Sequence, residues 1–244
     1  MPHDYFDETI ASEYDDDTSI RFEASHLALE SGFLASLAGE GGRALELAIG
    51  TGRAALPLAA RGVRVSGIDL SPAMVSRLRA KPGGADLEVV IGDYTSARVP
   101  GEFDLVYLVF NTIGNIASKD GQVATFENAA AHLRPGGCFV IETSVPGVAG
   151  IPLPGRYRVF SHTDEHHGID EYDRVTQQMF SHHYTRLPSG DYRRNSVPFR
   201  YAWPSEFDLM AQVAGLRLRE RWEWWDRAPF TTSSEGHVSV WERA

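Results

Sequence analysis

Four side chains able to bind polar ligands sit within or just after apolar runs: Glu46, Asp69, Asp93 and Asn111. Glu46 is unusual because it lies inside its run, Ala44-Leu-Glu-Leu-Ala-Ile49. An ionised carboxylate in an apolar strand costs several kcal/mol, on the order of 3 or more, unless a cation compensates it. Either a nearby arginine pairs with it or a ligand brings positive charge. Asp69 lies 17 residues past Gly52, a spacing at which a carboxylate can accept from both hydroxyls of a ribose. Asp93, followed by Tyr94, suits the exocyclic amine of adenine. Each aspartate also reads as a turn or helix cap. His182 and His237 are the two candidates for a general base, because each lies where a strand can carry it toward a pocket. A structural role is the alternative for both. His166 and His167, with Asp164, Glu165, Asp170 and Glu171, have metal-ligating types, but they surround Gly168 in an expected hairpin turn. They read as an exposed polar turn, and no metal site is expected.

The elements that must hold these groups follow from the hydrophobic pattern. Residues 44–49 read as a buried strand. Gly50-Thr-Gly52 makes a tight turn and residues 53–60 a helix, so the stretch is the first half of a nucleotide-binding βαβ unit. Gly50, Gly52 and Ala55 even satisfy the dinucleotide pattern G-x-G-x-x-A, but a pyrophosphate beside Glu46 would raise the cost of its charge. Residues 63–69, 87–91, 103–110 and 138–142 read as four further strands. Between them, Ser71-Pro opens a helix as N-cap and first position, and Val123, Phe126, Ala130 and Leu133 mark another. Arg134-Pro-Gly-Gly137 ends that one. Strands alternating with helices require a parallel sheet with right-handed crossovers. Residues 22–37 read as a helix packed on the sheet. After Val145 the pattern changes to antiparallel strands, an insertion over 146–203. Ser205-Glu-Phe-Asp208 has capping-box spacing for a helix to Gly215, and 216–225 with 237–241 form a closing hairpin.

The 244 residues are expected to form one domain, with 43% hydrophobic and 23% charged residues. A formal net charge of −10 opposes sequence-independent binding to nucleic acid. No apolar run reaches membrane-spanning length, the first residues lack a signal-peptide pattern, and Cys138 is the only cysteine. The expected setting is cytoplasmic.

Taken in order, Glu46-Leu-Ala-Ile-Gly-Thr-Gly52, Gly67-Ile-Asp-Leu-Ser71, Gly92-Asp-Tyr94, Phe103-Asp-Leu-Val106 and Leu133-Arg-Pro-Gly-Gly137 resemble the motifs of class I S-adenosylmethionine-dependent methyltransferases. The first glycine of the usual G-x-G-x-G is Ala48 here. The cofactor carries an α-ammonium and a sulfonium, which would give Glu46 a cation to meet. The resemblance implies an α/β fold with a doubly wound seven-stranded sheet whose last strand is antiparallel. It implies cofactor contacts from Ala48, Gly50, Thr51 and Gly52, with Glu46 and Gly50 near the methionine part. Asp69 would hold the ribose, Asp93 and Tyr94 the adenine, Leu70 and Met74 would pack on the adenosine, and Phe110 would lie beside the sulfur. From the N-terminal 1–40 segment, Tyr14 would close over the cofactor; a second tyrosine of the family is Thr18 here. Tyr-Asp near the start, Phe110-Asn-Thr-Ile-Gly-Asn115 and the insertion look like enzymes that methylate an N or O atom of small molecules, including amino-sugar N-methyltransferases of antibiotic pathways. Asn115 stands where some relatives place a histidine, so their base does not carry over; Asn115 joins His182 and His237 as a catalytic candidate. Asn111, Tyr184, Tyr201 and Trp225 are the acceptor candidates. The abundant aromatics wall an acceptor pocket, fill a core or make a homodimer contact. The rival readings are a nicotinamide-dependent oxidoreductase, opposed by Glu46 and the closing antiparallel strands, and a module that binds the cofactor without catalysis.

Overall fold

The computed structural model describes residues 8–16 and 20–244. Helix α1 (Glu8–Glu13) and a 3-10 turn at Tyr14–Asp16 precede α2 (Ala24–Ala38), which is buried through His26, Glu30, Phe33 and Leu34. The unit β1 (Arg43–Leu47), α3 (Ala55–Ala59), β2 (Arg64–Asp69), α4 (Pro72–Ala80) and β3 (Glu88–Ile91) winds one half of the sheet. β4 (Phe103–Leu108), α5 (Lys119–His132) and β5 (Leu133–Ser144) begin the other. Both helix caps have a physical cause. Ser71 accepts from Met74 N ahead of Pro72, and Ser118 accepts from Gly121 N ahead of α5.

An insertion follows, with β6 (Tyr157–His162), β7 (His166–Tyr172), β8 (Gln178–Arg186) and β9 (Tyr192–Arg200) paired antiparallel in sequence order. Helix α6 (Pro204–Val213) then leads to β10 (Leu216–Trp222) and β11 (Gly236–Arg243). The main sheet has the order β10-β11-β5-β4-β1-β2-β3, and β11 runs antiparallel to both neighbours. This is the doubly wound seven-stranded sheet expected from the motifs, with its last strand reversed. Its two faces carry separate cores. Phe103, Phe126, Phe139, Phe207 and Trp241 pack on one side; Phe33, Leu34, Leu58, Tyr107 and Trp225 pack on the other.

Three local expectations shift. The Arg134-Pro-Gly-Gly137 stretch lies inside β5 as an irregular start, because Leu133 pairs with Phe103 before the register slips to Leu105–Cys138. The cap of α6 is Trp203 rather than Ser205. Pro204 pre-sets the first helical φ, and the Glu206 carboxylate accepts from Trp203 N at 3.0 Å. Asp208 is thereby free for Arg221 and the Trp241 indole. Gly168 also proves to lie within β7, where a Cβ would meet the Phe160 ring at 2.3 Å. The turn itself is 163–165. Among the described residues, no helix is long and apolar enough to cross a membrane.

Candidate active site

The carboxyl ends of β1–β4 open into a cleft of about 600 Å³ whose lining includes Tyr14, Ala48, Gly50, Asp69, Leu70, Met74, Asp93, Tyr94 and Asn115. Local backbone chemistry shapes it. Ala48, Gly50 and Gly52 all take positive φ, at 57°, 55° and 83°. A Cβ at Gly52 would strike Leu78 Cδ1 at 2.3 Å, so the turn packs too closely on α4 for any side chain there. Asp69 holds this arrangement, its two carboxylate oxygens accepting from Gly50 N at 2.6 Å and Ser71 N at 2.8 Å. It is both a turn organiser and part of the cleft wall. Asp93 accepts from Thr95 N at 2.8 Å, an Asx turn, and Tyr94 commits its hydroxyl to Thr112 O.

Glu46 is buried on the α2 side of the sheet and accepts from the Tyr107 hydroxyl at 2.9 Å. The obvious arginine is engaged elsewhere: Arg53 donates to Glu30 at 2.7 and 3.0 Å. Burial pushes the Glu46 carboxyl well above the usual range, with Tyr107 and the more distant Arg53 charge only partly opposing it. Among the described residues the carboxyl therefore has no direct cationic partner beneath the turn, and the site fits a cofactor that carries positive charge. Thr51 faces the N-terminal segment instead of the cleft. Its hydroxyl donates to Asp15 at 2.7 Å, and Asp15 also pairs with Lys81 at 2.7 Å. That clamp brings Tyr14 against Phe22 and Phe110, at ring separations of 5.9 and 6.3 Å. Thr18 lies outside the described residues.

Phe110 and Asn111 are consecutive left-handed residues (φ 63° and 57°), a conformation that asparagine tolerates and phenylalanine does not. The cost, on the order of 1–3 kcal/mol, is offset by Glu142, whose carboxylate accepts from Phe110 N at 2.5 Å and from Arg21 at 2.8 Å. Arg21 and Arg53 each lie 5.1 Å from the Phe110 ring centre. The backbone is thus turned so that residues 111–115 form a wall. Thr112 and Asn115 face the cleft, whereas Asn111, Ile113 and Gly114 line a second cavity of about 180 Å³. Asp170, Tyr172 and Tyr201 close that cavity from the insertion. It shares Ser144, Pro146, Gly147 and Arg158 with an outer space of about 740 Å³ that also touches Arg21, Tyr157 and Trp224.

The last strand of the insertion is fastened to the wall by Arg200. Its guanidinium donates to Gln122 at 2.5 Å, Gln177 at 2.8 Å and Glu206 at 3.1 Å, and the Gln122 amide returns bonds to Ile113 O and Arg200 O.

Four sequence candidates fall elsewhere. His237 is fully buried in β11 between the Phe207 and Phe230 rings, with Nδ1 on Ser239. Burial drives it down to about 3, so the ring is uncharged at neutral pH. His182 is on the insertion face that carries Val159 and Phe180, both exposed, and engages Ser196 and Glu171. Tyr184 shares that face and lies under Arg194. The parity of β8 is the cause: Met179, Ser181 and His183 point to the cavity side, and the residues between them point away. Trp225 packs on Phe33 in the core, and its neighbour Trp224 reaches the outer space instead. Glu46, Thr51, Gly52 and Phe110 support the cleft without lining it. Sequence reasoning missed Glu142, although it is a carboxylate inside an apolar strand, the same signal as Glu46. It also missed Asp15, Arg158 and Tyr172, which carried no such mark, and it set Asp170 aside with an expected exposed turn, whereas Asp170 lies in β7.

The sheet order, the glycine turn and the strand-end acids define the class of cofactor-binding methyltransferase folds. Residues 44–137 match the family model described as a methyltransferase domain. Over its whole length the chain superimposes on the CcbJ methyltransferase of Streptomyces caelestis, with a TM-score of 0.85, 32% identity and 96% of each chain covered. It is 27% identical to the cypemycin N-terminal methyltransferase of a Streptomyces species, covering 98% of this chain and 97% of that one. The fold also matches the S-adenosylmethionine-bound CalS10, an amino pentose methyltransferase of Micromonospora echinaspora, with a TM-score of 0.69 at 19% identity and full coverage. The chain belongs to the S-adenosylmethionine-dependent methyltransferases; it is an enzyme, and S-adenosylmethionine is its cofactor.

Proposed function

We propose that this enzyme methylates an amine nitrogen on a small natural-product-like molecule or on the terminus of a short peptide. The observation that carries the reading is the shared wall at residues 111–115, with the cofactor cleft on one side and a narrow polar cavity on the other. A cavity of about 180 Å³ admits an amine head group, and the open outer space beyond it admits the rest of a small acceptor. Asp170, whose carboxyl burial pushes up, gives an ammonium a partner there.

In this arrangement Asp69 takes the ribose, Asp93 and Tyr94 flank the adenine, Leu70 and Met74 pack on the adenosine, and Ala48 and Gly50 let the methionine part approach the turn. Glu46 answers its ammonium from below, and Phe110 sits beside the sulfur with Tyr14 over it. When bound, the cofactor would supply an electrophilic methyl group on a sulfonium, open to in-line attack by an acceptor lone pair with the neutral thioether as leaving group. The protein aligns the two and excludes water, which contributes several kcal/mol, roughly 7 or more in the best cases. Asn111, Tyr201 and Asp170 face the acceptor, and Asn115 belongs to the cofactor side of the wall. The related cypemycin enzyme is named for an N-terminus and CalS10 for an amino pentose, and both carry an amine.

The test is a screen with cofactor labelled on the methyl group, using an alanyl tripeptide and an amino pentose glycoside as amine probes and their hydroxy analogues as controls. Label on an amine and not on its hydroxy analogue is the expected result. Label on the hydroxy analogues alone would overturn the reading.

A further inference from the structure

Asp170 is not isolated at the end of the cavity. Ser181 lies directly opposite it across the β7–β8 pair and offers its hydroxyl to the carboxylate. On the same face, Ser181 Oγ is 3.3 Å from His183 Nε2. His183 Nδ1 is 3.0 Å from His166 Nε2, and His166 Nδ1 is 2.9 Å from Ser161 Oγ. The row therefore starts in the strand-end cavity and runs away from the main sheet to the 163–165 turn, which is exposed. We propose that Asp170, Ser181, His183 and His166 form a proton path that accepts the proton of the acceptor amine and delivers it to solvent at the far end of the insertion. This rests on the amine reading given above.

The balance is simple. The acceptor ammonium gives one proton to Asp170, and the N–H bond pair stays on nitrogen as the lone pair that forms the new N–C bond. Protonated Asp170 donates to Ser181 Oγ as the Ser181 proton moves to His183 Nε2. The His183 Nδ1 proton moves to His166 Nε2, and the His166 Nδ1 proton leaves by Ser161 and water. Asp170 and Ser181 end as they began; His183 and His166 each end with the ring proton on Nε2 instead of Nδ1, and exchange with water returns both to the starting tautomer before the next turnover.

The surroundings suit a transfer in either direction. Burial raises the Asp170 carboxyl, while Ser181, Tyr172, Arg158 and His183 draw it back. Burial lowers His183, with the nearby His166 and His182 acting the same way and Asp170 opposing. The two proton affinities are brought toward each other, the condition under which a proton passes with little driving force. Across the cavity, Arg200 is held by Gln122, Gln177 and Glu206, and the Tyr201 hydroxyl by Asp173 O. Neither competes for Asp170. The single-residue parity of β8 that turns His182 outward is what places His183 on the path.

The test has two arms. Histidine titration by NMR in the full chain with S-adenosylhomocysteine needs no acceptor. Asp170→Asn should move the His183 titration to lower pH and leave His132 unmoved; an unchanged His183 would overturn the path. In the kinetic arm, with the tripeptide and amino pentose probes, Asp170→Asn should lower kcat about 10²-fold with cofactor affinity retained. His166→Gln should lower it about tenfold, with activity returned by added imidazole. His182→Gln should behave as wild type. If a probe amine is methylated and both path variants keep wild-type kcat and pH profile, the path is wrong although the amine reading stands. If only hydroxy analogues are methylated, the amine reading fails and the path falls with it, whatever coupling the NMR arm records.

Discussion

The two cavities on either side of residues 111–115 are built in different ways. The cofactor cleft is shaped by bonds that span at most 19 residues: Asp69 to Gly50 and Ser71, Asp93 to Thr95, and Ser71 to Met74. The acceptor cavity is made by long-range ones, with Arg200 reaching Gln122 and Asn111 accepting from Thr143 and Ser144. A site of the first kind is set once a strand ends in the right turn. One of the second kind depends on which face of an inserted sheet is turned inward, and there a change of one residue exchanges every side chain.

This division can be broken most severely at Arg200. Arg200→Ala leaves Glu206, Gln122 and Gln177 without their cation inside a buried contact, and should cost about 3 kcal/mol of stability. Chemical denaturation checks this, and cofactor affinity in the remaining folded protein should be unchanged. A parallel loss of cofactor binding would show that the two cavities are mechanically one.

His237 sharpens the comparison from beneath the sheet. Its folded-state value, about 3, lies below the unfolded 6.5, so the unfolded chain binds the extra proton. The neutral form's contribution is complete above pH 6.5 and is lost as pH falls from there toward 3, amounting to about 2 kcal/mol at pH 5. Thermal melts of His237→Gln should show a flatter acid limb. Turnover at pH 8 should be near wild type, since a buried imidazole with its Nδ1 on Ser239 touches neither cavity.

On the cofactor side, Asp69→Ala should weaken S-adenosylhomocysteine binding by about 2 kcal/mol, roughly thirtyfold. It should also lower the melting temperature, because Gly50 N and Ser71 N lose their acceptor. Asp69→Asn retains one acceptor oxygen and should fall between the two. Calorimetry giving wild-type affinity for a folded Asp69→Ala would remove the ribose assignment.

What could be read beforehand follows the same line. Strand periodicity, the Ser71-Pro cap and the acids at strand ends are local features; they gave a parallel sheet, and the family resemblance of the motifs implied its doubly wound form. Glu46 was legible because a carboxylate is costly among apolar neighbours. The inward face of β8 was not, since His182 and His183 are equally polar and only the pairing with β7 and β9 decides between them. Trp224 and Trp225 pose the same problem in a loop, where no period exists to choose which one meets Phe33.

The smallest effect belongs to the acceptor side. Tyr201→Phe removes a hydroxyl bonded to Asp173 O at 3.3 Å and should raise the acceptor KM about threefold. Cofactor affinity should not move, and steady-state kinetics with both substrates varied separates the two.

The most direct measurement is a crystal structure of the enzyme with S-adenosylhomocysteine. The account predicts ribose hydroxyls on Asp69, adenine between Leu70 and Tyr94 near Asp93, and the amino group above Glu46. The sulfur should lie at Phe110, facing the cavity that holds Asp170. A ligand in the cleft with its sulfur directed away from residues 110–111, or a ribose that does not touch Asp69, would contradict it.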